Sequence, residues 1–186
     1  MKLKLSTMQE WSWFWNEARA HTSRQLELYG KEVWITSPPD TPPVRLRLLE
    51  LGPEHAAQTL VLLHGFSGSS ATFQPFLLPL AQHSRVLAFD LRGHGRSSRP
   101  AGGYTASQLA ADVAAALDAL QAAGPVIAVG DSAGGLVATE LALRYSARVA
   151  KVVLIVTPVV VREEFIPRLW RGFMHSPDRV FRTIVA

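Results

Sequence analysis

Apolar and polar residues alternate with a period of two in the first part of the chain. Residues 25–36 and 44–51 therefore predict two strands, separated by a proline-rich loop over 38–43. A turn is predicted over 29–31, where Tyr-Gly-Lys interrupts the first alternation. Strands of this half-buried kind are typical of an antiparallel edge of a sheet.

From residue 59 onward, short continuous apolar runs alternate with longer amphipathic segments. Such runs indicate strands that are buried on both faces. The predicted strands span residues 59–64, 85–90, 126–130 and 151–156, and the predicted helices span residues 72–82, 105–123 and 136–145. Strands that alternate with helices predict an α/β fold, in which a mostly parallel sheet carries helices on both faces.

The strand over 126–130 ends at the sequence Gly130-Asp-Ser132-Ala-Gly134. A glycine-rich loop is the alternative for the bare Gly-x-Ser-x-Gly pattern, but its position between a strand and a helix favours a nucleophile elbow. The following helix directs its unpaired N–H groups toward negative charge that develops on a substrate carbonyl. Ser132 is therefore a candidate nucleophile.

Composition narrows the class of protein. The chain has 186 residues, of which 48% are hydrophobic and 18% charged, as expected for one globular domain. It has no cysteine, which excludes disulfides and cysteine-ligated metals, and no metal or cofactor is predicted. The net charge of +4 comes from arginines spread along the chain, which does not indicate nucleic-acid binding. No apolar run is long enough for a transmembrane segment, and a cytoplasmic location is expected.

The first 24 residues form a separate tryptophan-rich segment. Trp11, Phe14, Trp15 and Ala18 fall on one face of a predicted amphipathic helix. Docking of this face on the protein's own sheet is favoured over a membrane-surface anchor, because the polar face lacks a high density of lysine and arginine.

Three motifs in a fixed order resemble the α/β-hydrolase superfamily. They are His-Gly-Phe-Ser-Gly over 64–68, Asp-Leu-Arg-Gly-His-Gly-Arg-Ser over 90–97, and the elbow over 130–134, each at the end of a predicted strand. The resemblance covers residues 25–158. It implies a serine esterase or lipase-like enzyme that acts on a carboxylic ester or a related small acyl substrate.

The resemblance also implies roles for individual residues. Ser132 corresponds to the nucleophile, the backbone N–H groups of Phe66 and Ala133 to the oxyanion hole, and Gly130 and Gly134 to the elbow glycines. A serine at this position differs from the aspartate that haloalkane dehalogenases and most epoxide hydrolases use.

Other polar residues of these motifs resemble structural residues. His64, Asp90 and His94 are expected to hold loop ends, because the acid and the base follow the serine in this architecture. Phe66, Phe73 and Phe76 are candidates to line an apolar pocket near the serine, although core packing is favoured for Phe73 and Phe76.

The acid and the base are not evident from the sequence. After Ser132 the chain offers one histidine, His175, and the acids Glu140, Glu163, Glu164 and Asp178. In the family both groups follow later strands, whereas residues 159–186 resemble the start of a helical lid. We therefore expect a chain truncated after the sixth strand, without the C-terminal strands and with little or no activity alone.

Two further hypotheses remain open. A non-catalytic module could hold a small ligand in the same pocket. Alternatively, a partner chain could complete the enzyme. The sixth strand, which is apolar at every position over 152–156, would support a homo-oligomer, since an unpaired apolar edge promotes association.

Overall fold

The computed structural model describes residues 27–36 and 43–157. The tryptophan-rich segment over 1–24 and the predicted lid over 159–186 lie outside the described residues. The described part coincides with most of the core predicted over 25–158.

A six-stranded sheet forms the centre of the molecule. Its strands are β1 (Gly30–Ile35), β2 (Val44–Leu51), β3 (Thr59–Leu63), β4 (Arg85–Asp90), β5 (Val126–Asp131) and β6 (Val149–Ile155). They lie in the order β1-β2-β4-β3-β5-β6. β1 and β2 pair antiparallel, as do β2 and β4, whereas β4, β3, β5 and β6 run parallel. The predicted mostly parallel sheet is confirmed.

Helices cover both faces of this sheet, as predicted. Helix α1 spans Gln74–Ala81, α2 spans Ala106–Ala119 and α3 spans Ala133–Arg144. Alternate residues of β3 contribute to two separate cores, because successive side chains of a strand point to opposite faces. Helices α2 and α3 pack on one core, and α1 packs on the other. Within the described residues, no helix has the length and apolarity that a membrane crossing requires.

The predicted turn over 29–31 is wrong. Gly30 and Lys31 begin β1, and a 3-10 helix over Glu27–Tyr29 precedes the strand. Lys31 pairs with Leu48 of β2, so the antiparallel ladder extends to the start of the strand and leaves no room for a turn there.

Helix α2 ends four residues before the predicted end at residue 123. Gln121 takes a left-handed φ of 50°, and the Ala122 N–H donates to the Leu117 carbonyl at 3.0 Å. This hydrogen bond and the left-handed residue before it form a Schellman motif, in which the left-handed residue is usually glycine. Here Gln121 takes that position, so the prediction that the helix continues up to Gly124 placed its end too late. Thr105 caps the start as predicted, since its Oγ1 accepts from the Gln108 N–H.

Strand β6 is exposed, whereas the sequence predicted a buried strand. It is an edge of the described sheet and pairs there with β5. Val153 and Ile155 are 44% and 42% exposed, and Val152 and Leu154 on the opposite face are 38% and 41% exposed. The described residues therefore leave apolar side chains uncovered on both faces of this strand.

Candidate active site

Ser132 lies at the turn between β5 and α3. Its φ of 49° and ψ of −116° place a non-glycine residue in a backbone conformation that L-amino acids rarely adopt. Hydrogen bonds hold the turn from both sides, because the Ser132 N–H donates to the Ile155 carbonyl at 2.8 Å and the Ser132 carbonyl accepts from the Gly135 N–H at 3.0 Å. Ser132 therefore occupies a fixed turn at the carboxyl end of β5.

Both elbow glycines are required by close backbone contacts. A Cβ atom on Gly130 would lie 2.4 Å from the Gly134 carbonyl oxygen, and one on Gly134 would lie 2.1 Å from the Leu63 carbonyl oxygen. A Cβ atom on Gly65 would come within 3.2 Å of the Ser132 Cβ. The loop after β3 therefore lies directly against the serine, as an oxyanion loop must.

His64 fixes the orientation of the peptide that carries the Phe66 N–H. The His64 ring is fully buried, its Nε2 accepts from the Leu91 N–H at 3.0 Å, and its Nδ1 lies 2.8 Å from the Gly65 carbonyl oxygen. Because Nε2 is an acceptor, Nδ1 carries the proton and donates. The Gly65 carbonyl also accepts from the Gly68 N–H at 3.0 Å. In a planar trans peptide the N–H points away from the carbonyl, so these bonds fix the direction of the Phe66 N–H.

Burial keeps His64 neutral. It lowers the pKa of the ring to about 4, against the partly offsetting hydrogen bond to Gly65. A neutral ring with both nitrogens engaged is suited to holding a loop rather than to accepting the proton of a serine. The contacts of His64 thus support the expected structural role.

Asp90 organises the loop that follows β4. One carboxylate oxygen accepts from the Ser70 N–H at 2.7 Å and the other from the Arg96 N–H at 2.9 Å. A Cβ atom on Gly95 would lie 2.3 Å from this carboxylate. Asp90 is 2% exposed, and Arg47 Nη1 lies 4.0 Å from its Oδ2, so the contacts of this carboxylate support the expected structural role.

His94 packs against the loop after β3. Its Nδ1 lies 3.0 Å from the Arg92 carbonyl oxygen, and its ring makes edge contacts with the rings of His64 at 4.8 Å and Phe66 at 6.4 Å. Burial lowers the pKa of His94 as well. The loop after β4 therefore supports the loop after β3 through two neutral histidines.

A buried ion pair beneath this loop escaped the sequence prediction. Arg92 is 0% exposed and binds Asp112 of α2 with two hydrogen bonds, Nε to Oδ2 at 2.6 Å and Nη2 to Oδ1 at 2.7 Å. Gln108 donates to the same carboxylate at 3.2 Å. The one available signal was a single acid on the buried face of an alanine-rich helix. The pair ties the loop after β4 to α2.

A pocket lies beside the elbow and includes both predicted oxyanion residues, Phe66 and Ala133, together with Gly65. The space that it encloses is small, with a volume of about 30 Å³. The remaining walls are His64, Leu91, His94, Tyr104, Leu109 and Val137. Phe66 therefore borders a pocket near the serine, as expected.

Phe73 and Phe76 differ in their burial. Phe73 is 5% exposed and packs in a core cluster with Leu77, as predicted. Phe76 is 60% exposed on α1, so the prediction of core packing for this residue is wrong.

The described residues contain no histidine after Ser132. His175 and the acids Glu163, Glu164 and Asp178 lie outside them. Glu140 is described, and it pairs with Arg144 one turn later on α3 at 2.5 Å. The structure thus brings Ser132 and Ala133 close to the loop that carries Phe66, and none of the described residues supplies a histidine after Ser132.

Comparison with known proteins agrees with this geometry. The sequence model of the alpha/beta hydrolase fold matches residues 58–186, more than half of the chain. This chain belongs to the alpha/beta hydrolase fold family. Its α/β architecture and the position of its elbow are those that the family resemblance implied.

The names of curated proteins that are similar to this chain describe different activities. A non-heme chloroperoxidase of Streptomyces lividans is 40% identical over 111 residues, which cover 58% of this chain and 40% of that protein. A 2-(acetamidomethylene)succinate hydrolase of Mesorhizobium japonicum is 36% identical over 105 residues, which cover 56% of this chain and 37% of that protein.

A solved structure is similar as well. The thermophilic esterase of Thermogutta terrifontis superposes with a TM-score of 0.69 at 27% identity, covering 81% of this chain and 53% of that one. The chain thus spans well under half the length of the two curated relatives and about half the length of this esterase.

Proposed function

We propose that this protein is a serine hydrolase that cleaves a carboxylic ester or a related acyl substrate through Ser132. The observation that carries the proposal is the left-handed backbone of Ser132, φ 49°, at the end of β5 and against Gly65 of the loop after β3. Natural chains retain such strain where function requires it.

The proposed reaction begins with attack of the Ser132 oxygen on the substrate carbonyl carbon. The carbonyl double bond opens to an oxyanion, which accepts hydrogen bonds from the N–H groups of Phe66 and Ala133. Each such donor lowers the barrier by about 3 kcal/mol. The oxyanion then collapses, the bond to the leaving group breaks, and water later releases the acyl group from Ser132.

A base must remove the serine proton, and an acid must orient that base. Within the printed sequence, His175 is the one histidine after Ser132, and it lies outside the described residues. Where a triad member is removed from a serine hydrolase, the oxyanion hole and binding still give roughly 10³-fold to 10⁴-fold over water.

The names of the relatives favour acyl chemistry. One is a hydrolase that acts on 2-(acetamidomethylene)succinate and another is an esterase. Both are similar to this chain over part of their length, and on that basis we assign an ester or related acyl group as substrate class rather than a particular molecule.

Labelling with a fluorophosphonate probe, followed by intact-mass analysis, tests the assignment of the nucleophile. We expect one label per chain in the wild type and in Ser146→Ala, which removes an exposed serine. We expect none in Ser132→Ala. Equal labelling of wild type and Ser132→Ala by a folded chain would contradict the proposal, and absence of any label would favour a non-catalytic binding module.

The exposed sixth strand favours a second candidate, in which another chain completes the enzyme. Among the described residues no strand pairs with the outer side of β6, which exposes apolar side chains on both faces. An edge of this kind is a template for a further strand. Sedimentation velocity at several concentrations tests whether two copies associate, with labelling measured in parallel. A labelling rate per chain that rises with concentration would support completion, and a monomer with a constant rate would contradict it.

A further inference from the structure

The chain after β6 turns back onto the elbow at Thr157. Strand β6 ends at Ile155, and Val156, which follows it, has a φ of 47°. A left-handed backbone is rare for a β-branched residue, because its side chain is crowded there. Val156 is 87% exposed, so burial of its own side chain does not account for this conformation. The position that the turn gives to Thr157 is the better explanation.

Thr157 contacts the acceptor of the Ser132 N–H. The Ile155 carbonyl accepts from the Ser132 N–H at 2.8 Å, and the Thr157 Oγ1 donates to the same carbonyl at 3.2 Å. The Gly130 carbonyl lies further from this hydroxyl, at 3.5 Å. A hydroxyl has one proton to donate, so the shorter contact is the main one. Thr157 thus helps to fix the carbonyl on which the Ser132 N–H depends.

Thr157 also packs on the donor to the Ser132 carbonyl. That carbonyl accepts from the Gly135 N–H at 3.0 Å. A Cβ atom on Gly135 would lie 1.9 Å from the Thr157 Oγ1, 2.5 Å from its Cγ2 and 2.7 Å from its Cβ. The Thr157 side chain therefore fills the space beside the Cα of Gly135. Both of these backbone hydrogen bonds of Ser132 end on residues that Thr157 contacts.

We infer that Thr157 is a positioning residue for Ser132. It acts through Ile155 and Gly135, the partners of two hydrogen bonds that keep residue 132 in its left-handed conformation. The hydroxyl serves the bond to the Ile155 carbonyl, and the rest of the side chain serves the packing on Gly135. This inference rests on the proposed function, since the group that is positioned is the proposed nucleophile.

Amide hydrogen exchange, followed by NMR, tests the inference without a substrate. Thr157→Val keeps the shape of the side chain but removes the hydroxyl. It should speed exchange of the Ser132 N–H about fivefold, which corresponds to the loss of one hydrogen bond. Thr157→Ser keeps the hydroxyl and should leave that rate near the wild-type value. The N–H of Leu87 in the central strand β4 is the internal reference, and its rate should stay constant.

Thr36→Val is the matched control variant. Thr36 comes just after β1, is exposed and lies at the opposite edge of the described sheet. The same change of side chain there should alter the exchange rate of neither Ser132 nor Leu87. Equal Ser132 rates in Thr157→Val and Thr36→Val would overturn the inference. An increase in Thr157→Val that Leu87 shares equally would overturn it as well, because it would reflect a general loss of stability.

The rate of fluorophosphonate labelling connects Thr157 to the chemistry. We expect labelling to slow several-fold in Thr157→Val and to recover in Thr157→Ser, with Thr36→Val at the wild-type rate. Faster Ser132 exchange in Thr157→Val together with an unchanged labelling rate would contradict the inference, since the serine would react equally well without this support.

The two measurements separate this inference from the proposed function. If the wild type is labelled at Ser132 but Thr157→Val leaves Ser132 exchange unchanged, the nucleophile stands and the role of Thr157 falls. If exchange follows the expected pattern and the wild type is not labelled, Thr157 holds the turn at residue 132 and the proposed hydrolase falls.

Discussion

The loop after β4 and the elbow after β5 lie at the same end of the sheet but are held in different ways. In the first, the carboxylate of Asp90, the buried pair of Arg92 with Asp112, and the ring of His94 supply the contacts. In the second, glycines allow backbone atoms to approach closely, and Ser132 is held through its own N–H and carbonyl.

This difference indicates a structural role for the polar side chains of the loop after β4. In the loop after β4, the carboxylate of Asp90 accepts hydrogen bonds from backbone N–H groups and the guanidinium of Arg92 binds Asp112 of α2, so both buried charges have structural partners. The elbow, by contrast, positions Ser132 without using its hydroxyl as a helix cap. A cluster of Asp, His and Arg is therefore accounted for by structural contacts here, whereas the strained serine between two glycines is not, and this is why we propose Ser132 as the nucleophile.

The largest expected effect comes from a methyl group at the elbow. In Gly134→Ala the new Cβ would lie 2.1 Å from the Leu63 carbonyl oxygen and 2.6 Å from that of His64, which are backbone atoms at the end of β3 and just after it. We expect a loss of more than about 5 kcal/mol, enough to unfold a domain of ordinary stability. Circular dichroism and urea denaturation measure it.

Gly124→Ala is the control for this substitution. Gly124 has a φ of +68°, but no atom lies within 4 Å of the added Cβ. The loss there should be about 1 to 2 kcal/mol, the cost of the left-handed backbone alone. Similar losses of unfolding free energy in Gly134→Ala and Gly124→Ala would show that the elbow does not depend on the close backbone contact at Gly134.

The buried pair under the other loop is expected to give the next largest effect. Asp112→Asn leaves the guanidinium of Arg92, which is 0% exposed, without its charged partner. We expect the free energy of unfolding to fall by about 3 to 5 kcal/mol. Asp118→Asn on the same helix is the control, since Asp118 is 73% exposed and its pair with Arg148 should contribute less than about 1 kcal/mol. Equal losses of unfolding free energy in Asp112→Asn and Asp118→Asn would contradict the idea that the buried ion pair stabilises the loop after β4.

A pH dependence is expected from His64. Burial lowers the pKa of the folded ring from 6.5 to about 4, so the unfolded chain binds more protons between these values. The free energy of unfolding should therefore be highest above pH 6.5 and fall on acidification toward pH 4, by on the order of 3 kcal/mol. His94 adds to the same trend, because burial lowers its pKa too. Denaturation between pH 4 and 7 measures this slope.

Two asparagine variants test whether His64 causes the slope of unfolding free energy against pH. His64→Asn keeps a donor for the Gly65 carbonyl but removes the titrating ring, so its slope should be shallower than that of the wild type. His55→Asn replaces an exposed histidine and should keep the wild-type slope. An unchanged slope in His64→Asn would mean that the neutral ring is not what stabilises this loop.

The sequence predicted the sheet and the elbow well, since both depend on local patterns. Apolar runs placed β3, β4 and β5 to within one residue, and the Gly-x-Ser-x-Gly pattern located the turn. It could not predict contacts between distant residues. Arg92 and Asp112 are 20 positions apart, and neither shows its burial in its own neighbourhood. The exposure of β6 depends on which other segments pack against it. The apolar run over 152–156 indicates only that burial of this strand would be favourable.

The smallest expected effect lies at the start of α2, and it tests whether the helix end or the ion pair holds the loop after β4. Thr105 caps α2 through its Oγ1, which accepts from the Gln108 N–H at 3.2 Å. Thr105→Ala should cost about 1 kcal/mol in urea denaturation, and Thr105→Ser should recover most of it, because serine supplies the same oxygen. The loss should leave fluorophosphonate labelling at its wild-type rate, because Asp112 still binds Arg92 two turns further along the helix. A labelling rate that falls together with stability in Thr105→Ala would mean that the cap, and not the buried pair, fixes the support of the oxyanion loop.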